Sequence, residues 1–200
     1  TFNAAMTRPG DGDLLAEMEA GKCEQAQRIA EIVQRAGVDI LFVCELDRDR
    51  AERTAARFAK DYLAVSWHGQ QAIDFPFVFA APVNTGEPTG FDLDRDGKVG
   101  GPGDAHGFGA FPGQYGMVVL SRHPILKDRI RTFQKLPWSV MPGALRPEGH
   151  YTDEAWRALR LSSKSHWDVP IGVGKHVVHL LCSHPTPPVF DGKEDRNGCR

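Results

Sequence analysis

Apolar positions change their spacing from segment to segment, and the changes mark elements. Ala26, Ile29, Ile32, Val33 and Ala36 recur at helical spacing and predict an amphipathic helix over 24–36, with Gly37 as its stop. The next segment, VDILFVCE at 38–45, is a continuous apolar run of strand length that ends in Glu45, Asp47, Arg48, Asp49 and Arg50. That pattern predicts a buried strand with a polar C-terminal end. The opening TFNAA reads as a short strand. Strand, helix, strand implies a right-handed crossover and a parallel pair. A second helix, about 50–62, places Ala55, Phe58, Ala59 and Tyr62 on one face. Strand patterns then take over at 75–81, 116–121, 158–163 and 176–183, with a hairpin over 169–182 turning near Gly172–Lys175. An early crossover followed by antiparallel strands predicts a mixed-sheet α/β sandwich. Between the strands, Pro82 to Gly113 is almost entirely turn residues, Gly and Asp. A loop that long in a compact domain is usually functional or ordered by a metal.

The chain has 200 residues, which suits one domain or part of a larger one. Its 24 basic and 26 acidic side chains give a net charge of −2. That excludes tight nucleic-acid binding through bulk charge but leaves room for a groove with a few local cations. No apolar run approaches the roughly 20 residues of a membrane helix, so stable membrane insertion is not expected. The first residues, TFNAAMTRPG, show neither a basic start nor an apolar core, so they do not read as a signal peptide. They also lack an initiator Met, so the compartment cannot be read from them; a secreted or periplasmic setting is favoured. None of the four cysteines (Cys23, Cys44, Cys182, Cys199) forms a C-x-x-C pattern, which argues against structural zinc. Cys44 and Cys182 lie in apolar runs and read as small buried hydrophobes.

Several residues could carry chemistry. Glu45 ends a buried strand, the edge of an α/β sheet where ligands lie, and its carboxylate is a hard oxygen ligand for Mg²⁺ or Ca²⁺. Asn3 ends the other strand of the crossover, so its amide can meet Glu45. Arg122 closes the strand in GMVVLSRHPI and could bind phosphate or pair with a neighbouring acid. His184 follows the apolar strand of HVVHLLCSHP and could act as acid, base or hydrogen-bond donor, while His176 and His179 read as bystanders. The segment LSSKSHWDVPI gathers Ser162, Ser163, Lys164, Ser165, His166 and Asp168, a density of donors that suits either an anion pocket or a strand-to-loop surface. Asp92, Asp94, Asp96 and Gly97 match the D-x-D-x-D-G start of a calcium loop, although Gly103 stands where its closing Glu would be. A structural Ca²⁺, assisted by the Lys98 carbonyl and Asp104, and a solvated acidic turn are the two readings of that loop.

The order of the TFN start, the helix, DILFVCE, GMVVLSRHPI and HLLCSHP resembles the endonuclease/exonuclease/phosphatase family. The stretches APVNTG, DLDRDG, GFGAFPGQYGM and SSKSHWDVPI resemble a bacterial, phytase- or esterase-like branch of that family. The resemblance implies a four-layer α/β sandwich: two stacked mixed β-sheets flanked by helices. It implies a metal-dependent phosphoesterase, with Glu45 and Asn3 holding Mg²⁺ or Mn²⁺, His184 assisting at the phosphate, and Arg122, His166 and Tyr115 contacting substrate. The family also carries a later G-D-x-N segment and a closing Asp-His, which this sequence does not contain, so residues 1–200 correspond to the N-terminal portion of the family domain. A phosphorylated small molecule, a lipid head group or nucleic acid is the expected substrate, and no protein partner is inferred. The rival expectation is a noncatalytic, calcium-organised binding domain with the same fold.

Overall fold

The computed structural model describes residues 1–190 and 192–199. The crossover forms as the pattern predicts. Strand β1 (Phe2–Met6) pairs in parallel with β2 (Ile40–Leu46). Between them lie helix α1 (Asp13–Glu19), which the periodicity did not reveal, and helix α2 (Glu24–Ala36). Helix α2 buries Ala26, Ile29, Ala30 and Val33, and Gly37 ends it in the left-handed conformation, its N–H reaching back to the Val33 and Gln34 carbonyls. Ile32 departs from the expected face and is 50% exposed. Helix α3 (Arg53–Arg57) runs into a π-helical turn at Phe58–Leu63, and together they bury Ala55, Phe58, Ala59 and Tyr62. Asp49 accepts from the Thr54 N–H and hydroxyl at 2.8 and 3.0 Å, which explains why this helix starts later than position 50.

Strands β3 (Phe77–Ala80) and β4 (Met117–Ser121) complete a first sheet in the order β1-β2-β4-β3. Strands β5 (Arg131–Thr132), β6 (His166–Val173) and β7 (His176–Ser183) form a second, antiparallel sheet. Alternation along the strands divides the core. Ala4, Met6, Leu41, Val43, Val118 and Leu120 face the helices, while Phe42, Cys44, Met117 and Val119 face Trp167, Val169, Ile171 and Cys182 of the second sheet. Trp167 meets Phe42 and Phe79 edge-on, with ring centroids 6.5 and 5.0 Å apart. The fold is an α/β sandwich with two stacked sheets. The outer face of the second sheet is open at Leu181, which is 77% exposed.

One predicted strand is absent. Residue 158 is the last of a short helix, α4 (Asp153–Ala158), and the segment 159–163 forms no strand beyond an isolated antiparallel bridge of Arg160 to Pro137. Its apolar residues serve a third small cluster of Leu93, Trp138, Tyr151, Ala155 and Leu159, which organises the long loop. Periodicity could not distinguish this satellite core from a sheet face.

Candidate functional site

Glu45 owes its position to a break in the strand. Between the pairs Asn3–Cys44 and Met6–Leu46, β1 advances three residues while β2 advances two. Ala5 and Glu45 take up the mismatch with φ of 47° and 59°. Such bulges re-aim side chains. Strict alternation would turn Glu45 toward the helices with Val43; past the break it is Leu46 that faces them. Glu45 Oε1 instead lies 3.0 Å from His184 Nε2, at the end of β7 in the other sheet. A non-glycine residue in this region is costly and is held only where its surroundings fix it.

His184 reaches Glu45 for the complementary reason. In β7, Cys182 points into the inter-sheet core, Ser183 points out, and His184 returns inward. Both side chains are 24% exposed.

A cavity of about 400 Å³ opens beside this pair, lined by Glu45, Tyr115, Ser163 and Lys164 among others. Lys164 is only 8% exposed, and its ammonium lies 6.0 Å from the centre of the Tyr115 ring. Burial pulls its pKa below the ordinary lysine value, and the Glu45 carboxylate opposes that shift. Ser163 is 5% exposed, and its hydroxyl has no hydrogen-bond partner among the described residues.

The segment carrying these donors is clamped in place. Fully buried Asn84 donates from Nδ2 to the Ser162 and Gln134 carbonyls at 2.7 and 2.8 Å. Its Oδ1 accepts from Arg160 at 2.6 Å, and its own N–H donates to the Lys164 carbonyl at 2.8 Å. Gly107 of the long loop lies against the same segment, so close that a β-carbon there would come 1.9 Å from the Ser163 carbonyl oxygen. Tyr115, at φ 53°, is fixed by Asp47, which accepts from the Tyr115 N–H at 3.0 Å and the Arg8 N–H at 2.6 Å.

The structure brings Glu45 to His184 and, in the cavity lining, to Tyr115; His184 itself is not in that lining. Asn3 lies at the same end of the paired strands, opposite Cys44, and is exposed, with Oδ1 accepting from the Ala5 N–H at 3.0 Å. Arg122 is not brought to the site. Strand β4 runs antiparallel to β2, so its C-terminal end lies beside Ile40, at the opposite edge of the sheet from Glu45. There Arg122 pairs with Asp39 at 2.8 Å. His166 is also placed elsewhere: Trp167 turns inward, so His166 turns to the outer face opposite Ser183, where burial lowers its pKa. Lys164, expected only as one of several donors of an anion pocket or a strand-to-loop surface, is the cation that lines the cavity in place of Arg122. The signal was a lysine in a serine-rich run just before an apolar strand.

In the long loop, Asp92, Asp94 and Asp96 each offer an oxygen within 4.8 Å of the others. Asp104 does not join them. It is 2% exposed, and its carboxylate accepts from the Leu93, Asp94 and Gly100 N–H groups. A β-carbon on Gly103 would lie 2.0 Å from Asp94 Oδ2, so the closing Glu of a calcium loop has no room there.

A family model described as endonuclease/exonuclease/phosphatase family matches residues 1–196. A search of curated proteins returns no match. The chain is similar to a crystal structure of an endonuclease/exonuclease/phosphatase from Beutenbergia cavernae DSM 12333, with 19% identity and a TM-score of 0.42. The alignment covers 90% of this chain and 36% of that one.

Proposed function

Because the chain belongs to the endonuclease/exonuclease/phosphatase family, whose members are hydrolases of phosphoester bonds, we propose that the cavity beside Glu45 is a metal-dependent phosphoester-hydrolysing site. One observation carries the reading: Lys164 and Ser163, buried donors, share a cavity with the carboxylate of Glu45. Donors aimed at a point where negative charge develops are what phosphoester hydrolysis requires. In the reaction a water oxygen bonds to phosphorus, the ester P–O bond breaks, and the alcohol leaves with a proton. Lys164 and Ser163 would receive the phosphoryl oxygens, and His184, whose Nε2 is held on Glu45, would orient that carboxylate.

Glu45 and Asn3 suit a hard cation: both offer oxygen, both stand at one end of paired strands, and Mg²⁺ keeps most of its waters. Mg²⁺ or Mn²⁺ held there would supply positive charge at the phosphoryl oxygens.

The test is a phosphoester panel with and without Mg²⁺, on the wild-type chain and on Lys164→Met, Lys164→Arg and Glu45→Gln. Metal-dependent hydrolysis that falls about 10²-fold or more in Lys164→Met and in Glu45→Gln, and returns in part in Lys164→Arg, is expected. Hydrolysis indifferent to all three variants overturns the reading.

A second reading, a calcium-organised binding domain, is favoured by the convergence of Asp92, Asp94 and Asp96. The same panel separates the two, because a binding domain gives no turnover with any metal.

A further inference from the structure

The geometry points to a phosphoester whose alcohol portion is apolar, aromatic or alkyl, as the ligand of this cavity. The inference rests on reading the cavity as a phosphoester site and concerns the part of the ligand that the reaction releases. Away from Glu45, Ser163 and Lys164, one stretch of the wall is built from Leu93, Ala105, Phe108, Tyr151, Leu159 and Phe190, with Thr85, His106, Thr186 and Asn197 as polar residues elsewhere in the lining. Leu93, Tyr151 and Leu159 belong to the satellite cluster around Trp138 and are 2%, 6% and 2% exposed, so this wall is pre-formed. Phe108 and Phe190 are instead 61% and 88% exposed. Large apolar side chains exposed beside an apolar cavity mark a binding surface more often than chance scatter.

The apolar stretch offers a polyhydroxylated alcohol no partners for the hydrogen bonds to water it would lose on entering. Burying an aryl or alkyl group there removes apolar area from water on both sides. Besides Lys164, the lining carries one arginine, Arg196. A polyanionic ligand would have to use Arg196 as its second site.

The experiment is calorimetric titration of the 200-residue chain, in Mg²⁺, with inorganic phosphate, 1-naphthyl phosphate, 1-naphthol and inositol hexakisphosphate. We expect 1-naphthyl phosphate to bind at least about tenfold more tightly than inorganic phosphate, the scale set by burying part of a naphthyl ring. We expect this ratio to fall toward one in Phe108→Ser and in Phe190→Ser, both exposed positions where the chain should still fold. Equal binding of the two phosphates, an unchanged ratio in both variants, or tighter binding of inositol hexakisphosphate overturns the inference while leaving the phosphoester reading standing. Binding of 1-naphthol as tight as that of its phosphate, with no response to inorganic phosphate, overturns both.

Discussion

A single residue in an unfavourable conformation joins the two sheets at the edge of the cavity. Glu45 sits at φ 59°, and only there does its carboxylate reach His184 across the two sheets. Removing the imidazole should leave the core intact, since His184 is partly exposed and ends a strand. His184→Ala is therefore expected to lower turnover about 10²-fold with little change in melting temperature; a large loss of stability with unchanged turnover would make it a structural histidine. Asp47, two residues on, has the opposite character. It is 5% exposed and accepts two backbone N–H groups, so Asp47→Ala leaves both without a partner. The expected cost is about 1–3 kcal/mol per orphaned group, read as a lower midpoint in urea at an unchanged slope.

Among elements, the segment from Arg160 to Lys164 depends on its neighbours for its shape. Its strand-type pairing is an isolated antiparallel bridge of Arg160 to Pro137, and Asn84 adds hydrogen bonds to Arg160, Ser162 and Lys164. Asn84→Ala keeps the backbone bond to Lys164 but loses those to Gln134, Arg160 and Ser162; it should cost several kcal/mol, on the order of 1–3 per unsatisfied buried group, and should shift Lys164 through the freed Ser162. In the folded fraction, turnover should then fall along with stability, whereas Trp167→Ala should cost a comparable ~3–5 kcal/mol without a specific effect on Lys164. Measuring the activity of each variant well below its melting temperature separates the two outcomes. The long loop makes its own prediction. If Asp92, Asp94 and Asp96 hold Ca²⁺, added Ca²⁺ raises the melting temperature and Asp94→Asn abolishes the rise. Melting that ignores both Ca²⁺ and chelator identifies the loop as a solvated acidic turn held by Asp104.

Across the whole molecule, the outer face of the second sheet carries a pH dependence. Asp168 is held below its ordinary value of 3.8, first by Arg131, whose guanidinium donates twice to Oδ2, and then by His179. A carboxyl whose folded pKa is depressed contributes stability that is present above the unfolded value and lost as pH falls through the folded one. Acid unfolding should therefore steepen below about pH 4, and Asp168→Asn should flatten that limb while leaving the profile near neutrality parallel to wild type. The inter-sheet core adds no reactive thiols: burial raises Cys44 to about 11 and Cys182 to about 12.

Local pattern was enough for the elements whose cores are continuous. Helix α2, the parallel β1–β2 pair, the β6–β7 hairpin and the sandwich class follow from spacings of 3.6 and 2 that a single face of solvent or core imposes. Glu45 and His184 were legible because each closes an apolar run with a polar group. The rest depended on contacts far apart in sequence. Arg122 ends a strand as Glu45 does, but strand direction, which composition does not encode, sends the two to opposite edges of the sheet. His166 and Lys164 are two residues apart, yet the strand turns His166 outward. The loop before it, shaped by Asn84 some 76–80 residues earlier, keeps Lys164 in the cavity. Nor could periodicity foresee the bulge that aims Glu45, because the extra residue in β1 has meaning only when β2 lies beside it. The sequence by itself determined which segments are buried and where polar groups interrupt them. The tertiary structure alone decided which of those groups face one another, because strand direction, register and long-range hydrogen bonds are properties of pairs of segments.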